Sequence, residues 1–214
     1  MDRVLRQWAA EGQHGGVAWT ETGTPVSTRF DDPYFSLEDG LAETRHTFLS
    51  GNDLPARFSP GFQLAELGFG TGLNMLATLL AFRDAGVPGP VRFTSFEAYP
   101  MGADEIARAL AAFPEATAAA SDFLGGWAAG ERRMDLGGFH LEVIEGDARA
   151  TLPRWPGLAD AWFLDGFSPA KNPELWGEAL MAEVARHTCP GGTVATYTAA
   201  GFVRRGLAAA GFCV

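Results

Sequence analysis

The chain is poor in basic residues, in cysteine and in long apolar runs, and each scarcity excludes a class of protein. Its 214 residues carry 26 acids against 16 bases, so the net charge is −10. Such a chain lacks the long-range attraction to phosphate on which most nucleic-acid-binding proteins depend. No apolar run reaches the ~18 residues that a membrane-spanning helix needs, and residues 1–10 are too charged for a signal peptide. The composition therefore predicts a cytoplasmic protein without a membrane segment.

Cysteine, histidine and lysine are too few or too scattered to predict a metal site. Cys189 and Cys213 have no metal-like spacing, and the four histidines are isolated from one another. We therefore expect free, buried thiols and no bound metal. Lysine occurs once, at Lys171, while every other base is arginine.

The order of strand-like and helix-like segments predicts one α/β core with an extension in front of it. The predicted extension covers residues 1–60. It contains a β-hairpin, from Val17 to Glu21 and from Pro25 to Phe30, and then a helix from Ser36, its N-cap, to about Leu49. Residues 61–214 predict a doubly wound, Rossmann-like sheet. The predicted strands are Gln63 onwards, Val91 to Phe96, Phe139 to Ile144, Asp160 to Phe167, Gly192 to Thr198 and Gly211 to Val214. The predicted helices are Leu73 to Ala85, Ala103 to Phe113, Ala116 to Trp127, Ala148 to Leu152, Glu174 to Arg186 and Gly201 to Ala210.

The stretch from Gln63 to Asn74, Q-L-A-E-L-G-F-G-T-G-L-N, predicts a strand, a tight turn and the start of a helix. Alternating glycines let the backbone turn sharply and approach a ligand. Leu73 breaks the dinucleotide spacing G-x-G-x-x-G, and the G-K-[ST] of a phosphate loop is absent. E-x-G-x-G-x-G is the pattern of class I methyltransferases that use S-adenosylmethionine (SAM), a cation that an acid beside the loop suits. The predicted SAM contacts here are Glu66, Gly68, Gly70, Thr71, Gly72 and Asn74.

Two further acids follow predicted strands and complete the expected cofactor site. Glu97 ends the second core strand, where an acid can reach the ribose hydroxyls. Asp147 follows the third strand and can accept the adenine amino group, with the Ala148 amide available to a ring nitrogen. As an alternative, Asp147 caps the short helix that begins at Ala148.

The segment D-G-F-S-P-A-K-N-P begins at Asp165, at the end of the fourth predicted core strand. In a doubly wound sheet this strand end lies beside the first strand's glycines, at the switch point where ligands bind. We therefore predict that Asp165 stands where methyl donor and acceptor meet. In the extension, Glu43, Arg45 and His46 face either solvent or the mouth of this site.

Several segments together resemble the methyltransferase domain of the MnmC family. The resemblance rests on F-D-D-P-Y-F-S at 30–36, G-L-A-E-T-R-H-T-F-L at 40–49, E-L-G-F-G-T-G-L-N at 66–74, W-F-L-D-G-F-S-P-A-K-N-P-E-L-W at 162–176 and T-A-A-G-F-V-R-R-G-L at 198–207. It implies a class I SAM-dependent methyltransferase fold. Such a fold has seven strands, so the sequence is expected to stop before the last of them.

The resemblance also implies a substrate, a partner and roles for residues near Asp165. The expected reaction is N-methylation of 5-aminomethyl-2-thiouridine at the wobble position of tRNA, often alongside a fused FAD-dependent oxidase that prepares the amine. Asp165 is the expected catalytic carboxylate, with Tyr34 and Phe167 stacking on the base or the cation. Lys171 either contacts a phosphate or is a solvated loop charge, and Arg204 and Arg205 are the expected remnant of a basic patch. The alternatives are a methyltransferase of a small amine and a non-catalytic SAM-binding partner module.

Overall fold

A six-stranded sheet forms the centre of the protein in the computed structural model, which describes residues 16–35 and 40–214. Its strand order is β6-β7-β5-β4-β8-β9, and β6 alone runs antiparallel to its neighbour. The strands are β4 (Gln63–Leu67), β5 (Val91–Glu97), β6 (Arg133–Asp135), β7 (Phe139–Glu145), β8 (Ala159–Leu164) and β9 (Thr188–Thr196). A separate three-stranded sheet precedes it, with β1 (Val17–Trp19), β2 (Pro25–Ser27) and β3 (Asp32–Pro33).

Helices cover both faces of the large sheet, as a parallel sheet requires. They are α1 (Gly40–Thr44), α2 (Leu73–Ala85), α3 (Ala103–Leu110), α4 (Pro114–Ala119), α5 (Ser121–Ala128), α6 (Ala148–Thr151), α7 (Glu178–Arg186) and α8 (Gly201–Ala209). A π-helical turn, Arg45–Leu49, and a 3₁₀ turn, Ser50–Asn52, continue α1 without a break. Short 3₁₀ turns at Leu152–Arg154 and Pro173–Trp176 follow α6 and precede α7.

Side chains alternate between two hydrophobic cores because successive residues of a strand point to opposite faces. In β4, Leu64 packs into the core shared with α1 to α5, whereas Ala65 and Leu67 pack into the core shared with α6 to α8. In β8, Phe163 joins the first core and Trp162 the second. Glu66 therefore points to the same face as Leu64, toward α2.

The strand order places the switch point at β4. The chain passes from β4 to β5 on one side, and β8 later returns to pair with β4 on the other. Both pairings are parallel, so the carboxyl ends of β4 and β8 lie side by side. Ligands bind at this edge in doubly wound sheets.

The hairpin and the helix that the sequence predicts in residues 1–60 form where the structure describes them. The predicted hairpin forms, with Val17 opposite Ser27, and the short β3 adds a third strand. The predicted helix runs to Leu49 from Gly40 as α1 and its π-helical continuation. The predicted N-cap Ser36 lies outside the described residues.

Several of the sequence-based predictions differ from the structure. The predicted helix from Ala116 to Trp127 is two helices, α4 and α5, since the chain turns at Ala120. The antiparallel strand β6 was missed. Residues 211–214 form no strand, and they pair with no described strand. Cys189 and Cys213 are free, as expected, but half-buried and exposed rather than buried.

Among residues 16–35 and 40–214, no helix is both long enough and apolar enough to cross a bilayer.

Candidate active site

The loop after β4 turns through three glycines with positive φ. Gly68, Gly70 and Gly72 have φ of 87°, 53° and 74°, conformations that side chains with a Cβ rarely adopt. A Cβ on Gly68 would lie 3.1 Å from the Cα of Gly166, and one on Gly70 would lie 3.3 Å from the Tyr34 ring. The glycines therefore let this loop fit closely between β8's end and the extension.

Gly72 is a packing position rather than part of the cavity wall. A Cβ there would lie 3.0 Å from the Phe69 ring and 3.3 Å from that of Phe123, both in the core. Gly68, Gly70 and Thr71 line the cavity, but Gly72 does not. Gly72 turns the chain into α2, and its contact with a cofactor stays a prediction.

Glu97 holds the glycine loop from the end of β5. Its Oε2 accepts a hydrogen bond from the Gly70 N–H at 3.0 Å, and its Oε1 accepts one from the Tyr99 N–H at 2.7 Å. The carboxylate also lines the cavity. Each carboxylate oxygen has a second lone pair, so Glu97 retains acceptor capacity for ligand hydroxyls.

Asp147 adopts the capping geometry that the sequence left as an alternative. Its Oδ1 accepts from the Arg149 N–H at 2.9 Å, and its Oδ2 pairs with the Arg149 guanidinium at 2.5 Å. The Arg149 guanidinium lowers the pKa of this carboxyl. Asp147 and Ala148 both line the cavity, so the predicted adenine contacts remain open to them.

Asn74, in the first turn of α2, joins the two carboxyl groups nearest the switch point. Its Nδ2 donates to Glu66 Oε1 at 2.9 Å and to Asp165 Oδ2 at 2.7 Å. Its Oδ1 accepts from the Thr44 hydroxyl at 2.8 Å. Glu66 is completely buried and lies beneath Asn74, off the cavity wall. Glu66 is linked to the cavity wall through its hydrogen bond with Asn74, and its contact with a ligand stays a prediction.

Asp165 lies on the cavity wall immediately after β8. Its Oδ1 accepts from the Gly166 N–H at 2.8 Å, which leaves its Oδ2 to Asn74. Burial raises the pKa of Asp165 from 3.8 to about 6, although the two hydrogen bonds oppose the rise. Burial also raises the pKa of Glu66 well above its usual range. A carboxylate with a pKa near 6 is a stronger base than an ordinary aspartate.

The loop that begins at Asp165 is fixed along its backbone. The Tyr197 hydroxyl donates to the Gly166 carbonyl at 2.6 Å, and the Trp176 indole N–H donates to the Phe167 carbonyl at 2.9 Å. From the extension, Asp32 Oδ2 accepts the Ser168 N–H at 2.7 Å. The extension therefore shapes the loop that carries the predicted catalytic residue.

Aromatic rings gather at the mouth of the cavity. The Phe167 ring stacks on Phe30 with centroids 4.7 Å apart and meets Tyr34 edge-on at 5.1 Å. The Arg29 guanidinium lies 4.5 Å from the centroid of the Tyr99 ring. The structure thus brings the predicted pair Tyr34 and Phe167 together with Phe30, which sequence reasoning missed.

The predicted basic residues are divided between the cavity and the outer surface. Lys171 lines the cavity and pairs with Asp31, its Nζ lying 2.6 Å from Oδ2. Arg204 and Arg205 are exposed on α8 and do not line the cavity. In the extension, Glu43 faces the cavity, Arg45 pairs with Glu115 at 2.5 Å, and His46 is exposed away from it.

The cavity between the extension and the switch point measures about 790 Å³, a size typical of small-molecule sites. Acids outnumber bases on its wall. The acids are Asp32, Glu43, Glu97, Asp147, Asp165 and Glu174, and the bases are Arg29, Arg149 and Lys171. Because two of the three bases are paired with carboxylates, the cavity favours a cationic ligand.

Comparison with known proteins gives the same family as the sequence motifs. A family described as "S-adenosyl-L-methionine-dependent methyltransferase" matches residues 113–214. The bifunctional protein MnmC of Aeromonas hydrophila, named for tRNA 5-methylaminomethyl-2-thiouridine biosynthesis, is 47% identical over 218 residues, which take in 94% of this chain. The MnmC protein of a Caulobacter species is 48% identical over 92% of the chain.

The chain belongs to the MnmC family. It corresponds to the methyltransferase portion of these proteins and spans about a third of the length of the MnmC relatives it matches, 33% and 35% in the two cases. The crystal structure of MNMC2 from Aquifex aeolicus aligns with 99% of this chain and 70% of that one. Its TM-score of 0.73 at 23% identity confirms the class I methyltransferase fold.

Some residues of the cavity wall were not predicted from the sequence because the signals that would identify them are not local. Asp32 belongs to the segment F-D-D-P-Y-F-S, but no role is predicted for it, because its partner Ser168 lies 136 residues further along the chain. Tyr197 follows β9 and reaches Gly166 across 31 residues. No spacing rule joins such positions, although a polar or aromatic residue just after a strand's carboxyl end is a general signal for this edge of the sheet.

Proposed function

We propose that this chain transfers a methyl group from SAM to the amine of 5-aminomethyl-2-thiouridine at the wobble position of tRNA. The observation that carries the proposal is the position of Asp165, a half-buried carboxylate with a raised pKa beside the glycine loop at the switch point. The names of the MnmC relatives support the choice of nucleoside. A tRNA substrate would place the reaction in the cytoplasm.

The residues around the glycine loop fit SAM. We assign Gly68, Gly70 and Thr71 to the methionine portion, because backbone without a side chain leaves room for a ligand there. Glu97 is assigned to the ribose hydroxyls, and Asp147 with the Ala148 amide to the adenine. The excess of carboxylates on the cavity wall suits a molecule that carries both a sulfonium and an ammonium group.

Asp165 is assigned to the acceptor amine. When bound, SAM supplies a methyl group that passes to the amine nitrogen as its bond to sulfur breaks. By analogy with lysine, an alkyl ammonium has a pKa of ~10, and it must lose a proton before its nitrogen can attack. Asp165 accepts that proton and later releases it to solvent, and its raised pKa narrows the gap between base and ammonium.

The remaining residues of the wall position the acceptor. Asn74 and the Gly166 N–H fix both oxygens of Asp165, so that its carboxylate presents a defined lone pair to the amine. Phe30, Tyr34 and Phe167 form an aromatic mouth on which a pyrimidine base can stack. Holding the two reactants in near-attack geometry while water is excluded supplies much of the rate enhancement in such displacements.

The division into an extension, residues 1–60, and a core, residues 61–214, is also proposed. Its support is that the small sheet has its own strand pairing, while Asp32, Tyr34 and Glu43 complete the cavity wall. Removing the extension would therefore open the acceptor end of the site.

A second activity is proposed to work alongside this one. The relatives are called bifunctional and are about three times as long as this chain. We assign to the rest of those proteins an FAD-dependent oxidase that prepares the amine. Lys171, Arg204 and Arg205 are assigned to phosphate contacts with the tRNA.

One experiment separates this function from its alternatives. Labelled methyl transfer from SAM is measured with tRNA carrying 5-aminomethyl-2-thiouridine, with unmodified tRNA and with small primary amines. Transfer only to the aminomethyl tRNA supports the proposal. Transfer to small amines at a comparable rate identifies a small-molecule methyltransferase, which the acidic composition favours. SAM binding without transfer to any acceptor identifies a non-catalytic module.

A further inference from the structure

We propose that Asn74 is a positioning residue that ties Asp165 to the buried Glu66 and holds the Asp165 carboxylate ready for the acceptor. The hydrogen bonds of Asn74 follow from the geometry alone, whereas its role in catalysis rests on the proposed function. Asn74 is buried, with 7% of its surface exposed, and lies on the cavity wall beside Asp165. Its side chain is directed at Glu66 and Asp165, which sets it apart in role from the glycines of the loop.

The Asn74 amide donates toward both carboxyl groups and accepts from Thr44. One N–H reaches Glu66 at 2.9 Å and the other reaches Asp165 at 2.7 Å, while the carbonyl oxygen accepts from Thr44. Because a threonine hydroxyl can donate to the oxygen, the orientation with both N–H groups toward the carboxyls satisfies every partner. The reverse orientation would set a carbonyl oxygen against two carboxyl groups.

Glu66 anchors the hydrogen-bond network in the interior of the protein. It is completely buried in the middle of the sheet, and burial raises its pKa despite the opposing Ser95 hydroxyl and Asn74 amide. A buried carboxyl group of this kind prefers the neutral form. Asn74 then donates to a charged carboxylate, Asp165, and to a neutral carboxyl group, Glu66. The charge-assisted hydrogen bond is the stronger of the two, and it goes to Asp165 on the cavity wall.

Thr44 links the same network to the extension. It lies at the end of α1, is buried, and donates to Asn74 across 30 residues. Glu43, its neighbour in the chain, faces the cavity. The position of α1 therefore sets the orientation of the Asn74 amide and, through it, that of Asp165.

The test follows the titration of Asp165 itself. In carbon NMR, the Asp165 carboxyl signal is assigned through its loss in Asp165→Asn, and its midpoint is measured in the parent and in Asn74→Ala. The parent is expected to titrate near pH 6. Asn74→Ala removes a donor to the charged form, so the midpoint should rise by about one pH unit. Thr44→Val, which frees the amide to turn over, should raise it by a smaller amount.

A matched control comes from another buried asparagine. Asn52 donates its Nδ2 to the carbonyls of Phe48 and Trp162, and its Oδ1 accepts from Thr193, but it does not line the cavity. Asn52→Ala should lower the melting temperature and leave the Asp165 midpoint where it is. Thr193→Val is the corresponding control for Thr44→Val.

The pH dependence of activity is a second measurement, and a purely structural role of Asn74 would leave it unchanged. For Asn74→Ala, the acidic limb of the kcat profile against pH should move upward with the NMR midpoint. An unchanged midpoint in both Asn74→Ala and Thr44→Val overturns the inference, and so does a loss of SAM affinity without any change in the titration. If no acceptor is methylated, the proposed function fails while the NMR titration still decides the role of Asn74.

Discussion

Gly70 combines a backbone conformation that favours glycine with close approach to the Tyr34 ring, which makes it the sharpest single-residue probe of the cofactor site. Its φ is 53°, and a Cβ would lie 3.3 Å from the Tyr34 ring. Its N–H also donates to Glu97, the proposed ribose ligand. A side chain at this position disturbs the loop, the aromatic mouth and the ribose contact together.

We predict that Gly70→Val lowers SAM affinity by at least about tenfold. Isothermal titration calorimetry with SAM measures the change. Gly86→Val is the matched control, because Gly86 has a similar φ of 61° but nothing within 4 Å of a built Cβ. Equal affinity in the parent and in Gly70→Val would move the cofactor site away from this loop.

Asp165 is predicted to lower the stability of the fold that carries it. Its pKa is raised from 3.8 to about 6, so the folded protein holds this proton more tightly than the unfolded chain does. The stability from this group is therefore full below about pH 4 and is lost as the pH rises through about 6. Asp165→Asn should gain on the order of 1 to 3 kcal/mol at pH 8, with the gain closing toward pH 4.

Thermal unfolding of Asp165→Asn and the parent at pH 4, 6 and 8 measures this dependence. Asp84→Asn, at an exposed position on α2, controls for the general effect of removing one negative charge. A variant that is less stable than the parent at pH 8 would mean that the Asp165 carboxylate stabilises the fold. That result would contradict the interpretation of Asp165 as a functional carboxylate whose ionisation lowers the stability of the fold.

At the scale of elements, the boundaries that sequence reasoning predicted correctly share one feature. The helix α2 begins at Leu73 and ends at Ala85 as predicted, because Gly72 and Gly86 bound it with left-handed backbone. The strands β5 and β7 likewise carry apolar residues interspersed with polar ones, and each ends at an acid, Glu97 and Glu145. Glycine and strand-end acids are local signals, and local signals can be read from one sequence.

The boundaries that failed depend on contacts between distant segments. No turn residue marks Ala120, where the alanine-rich stretch divides into α4 and α5. The strand β6 is three residues of sequence R-M-D, and it forms only because β7 lies beside it. In the same way, the link between Asn74 and Asp165 spans 91 residues, so no pattern in the sequence announces it.

The contact between β3 and the loop after β8 yields a prediction about how the extension acts. Asp32→Ala removes the acceptor of the Ser168 N–H, so the loop that carries Asp165 loses a fixed point. We expect methyl transfer to fall by roughly tenfold or more, since small displacements of reacting groups are costly, with SAM affinity unchanged. Steady-state kinetics and calorimetry measure the two quantities.

The neighbouring Asp31→Ala is the control for this prediction. It removes the pairing of Asp31 with Lys171, an exposed ion pair that is expected to contribute little. Activity within a few fold of the parent is expected. Equal losses in the two variants would indicate a general effect of the acids in the extension rather than a fixed point for the loop.

At the scale of the whole molecule, the charge conflicts with the proposed substrate. The net charge is −10, and several bases are already paired with acids, among them Arg45, Arg132, Arg149 and Lys171. Within the described residues, Arg204 and Arg205 are exposed without an ion pair, and so are Arg83, Arg92 and Arg154, which lie on separate elements. The excess of acids over bases still weakens the long-range attraction to phosphates that normally supplies most of the affinity for nucleic acid.

We therefore predict weak tRNA binding by the 214-residue chain. Two or three phosphate contacts give a slope of only about −2 to −3 in a plot of log affinity against log salt. The measurement is tRNA affinity across salt concentrations, for this chain and for a full-length MnmC relative, which should bind more tightly with a steeper slope. Tight binding by this chain with a steep slope would contradict the prediction and indicate a basic surface that its ion pairs do not suggest.

The central claim is tested most directly by identifying the nucleoside that this chain produces. tRNA carrying 5-aminomethyl-2-thiouridine is incubated with SAM and the protein, digested to nucleosides and analysed by mass spectrometry, with Asp165→Ala in parallel. The account predicts 5-methylaminomethyl-2-thiouridine at the wobble position, formed ~100-fold or more slowly by Asp165→Ala although that variant still binds SAM. An unmethylated wobble nucleoside, or full activity in Asp165→Ala, would contradict it.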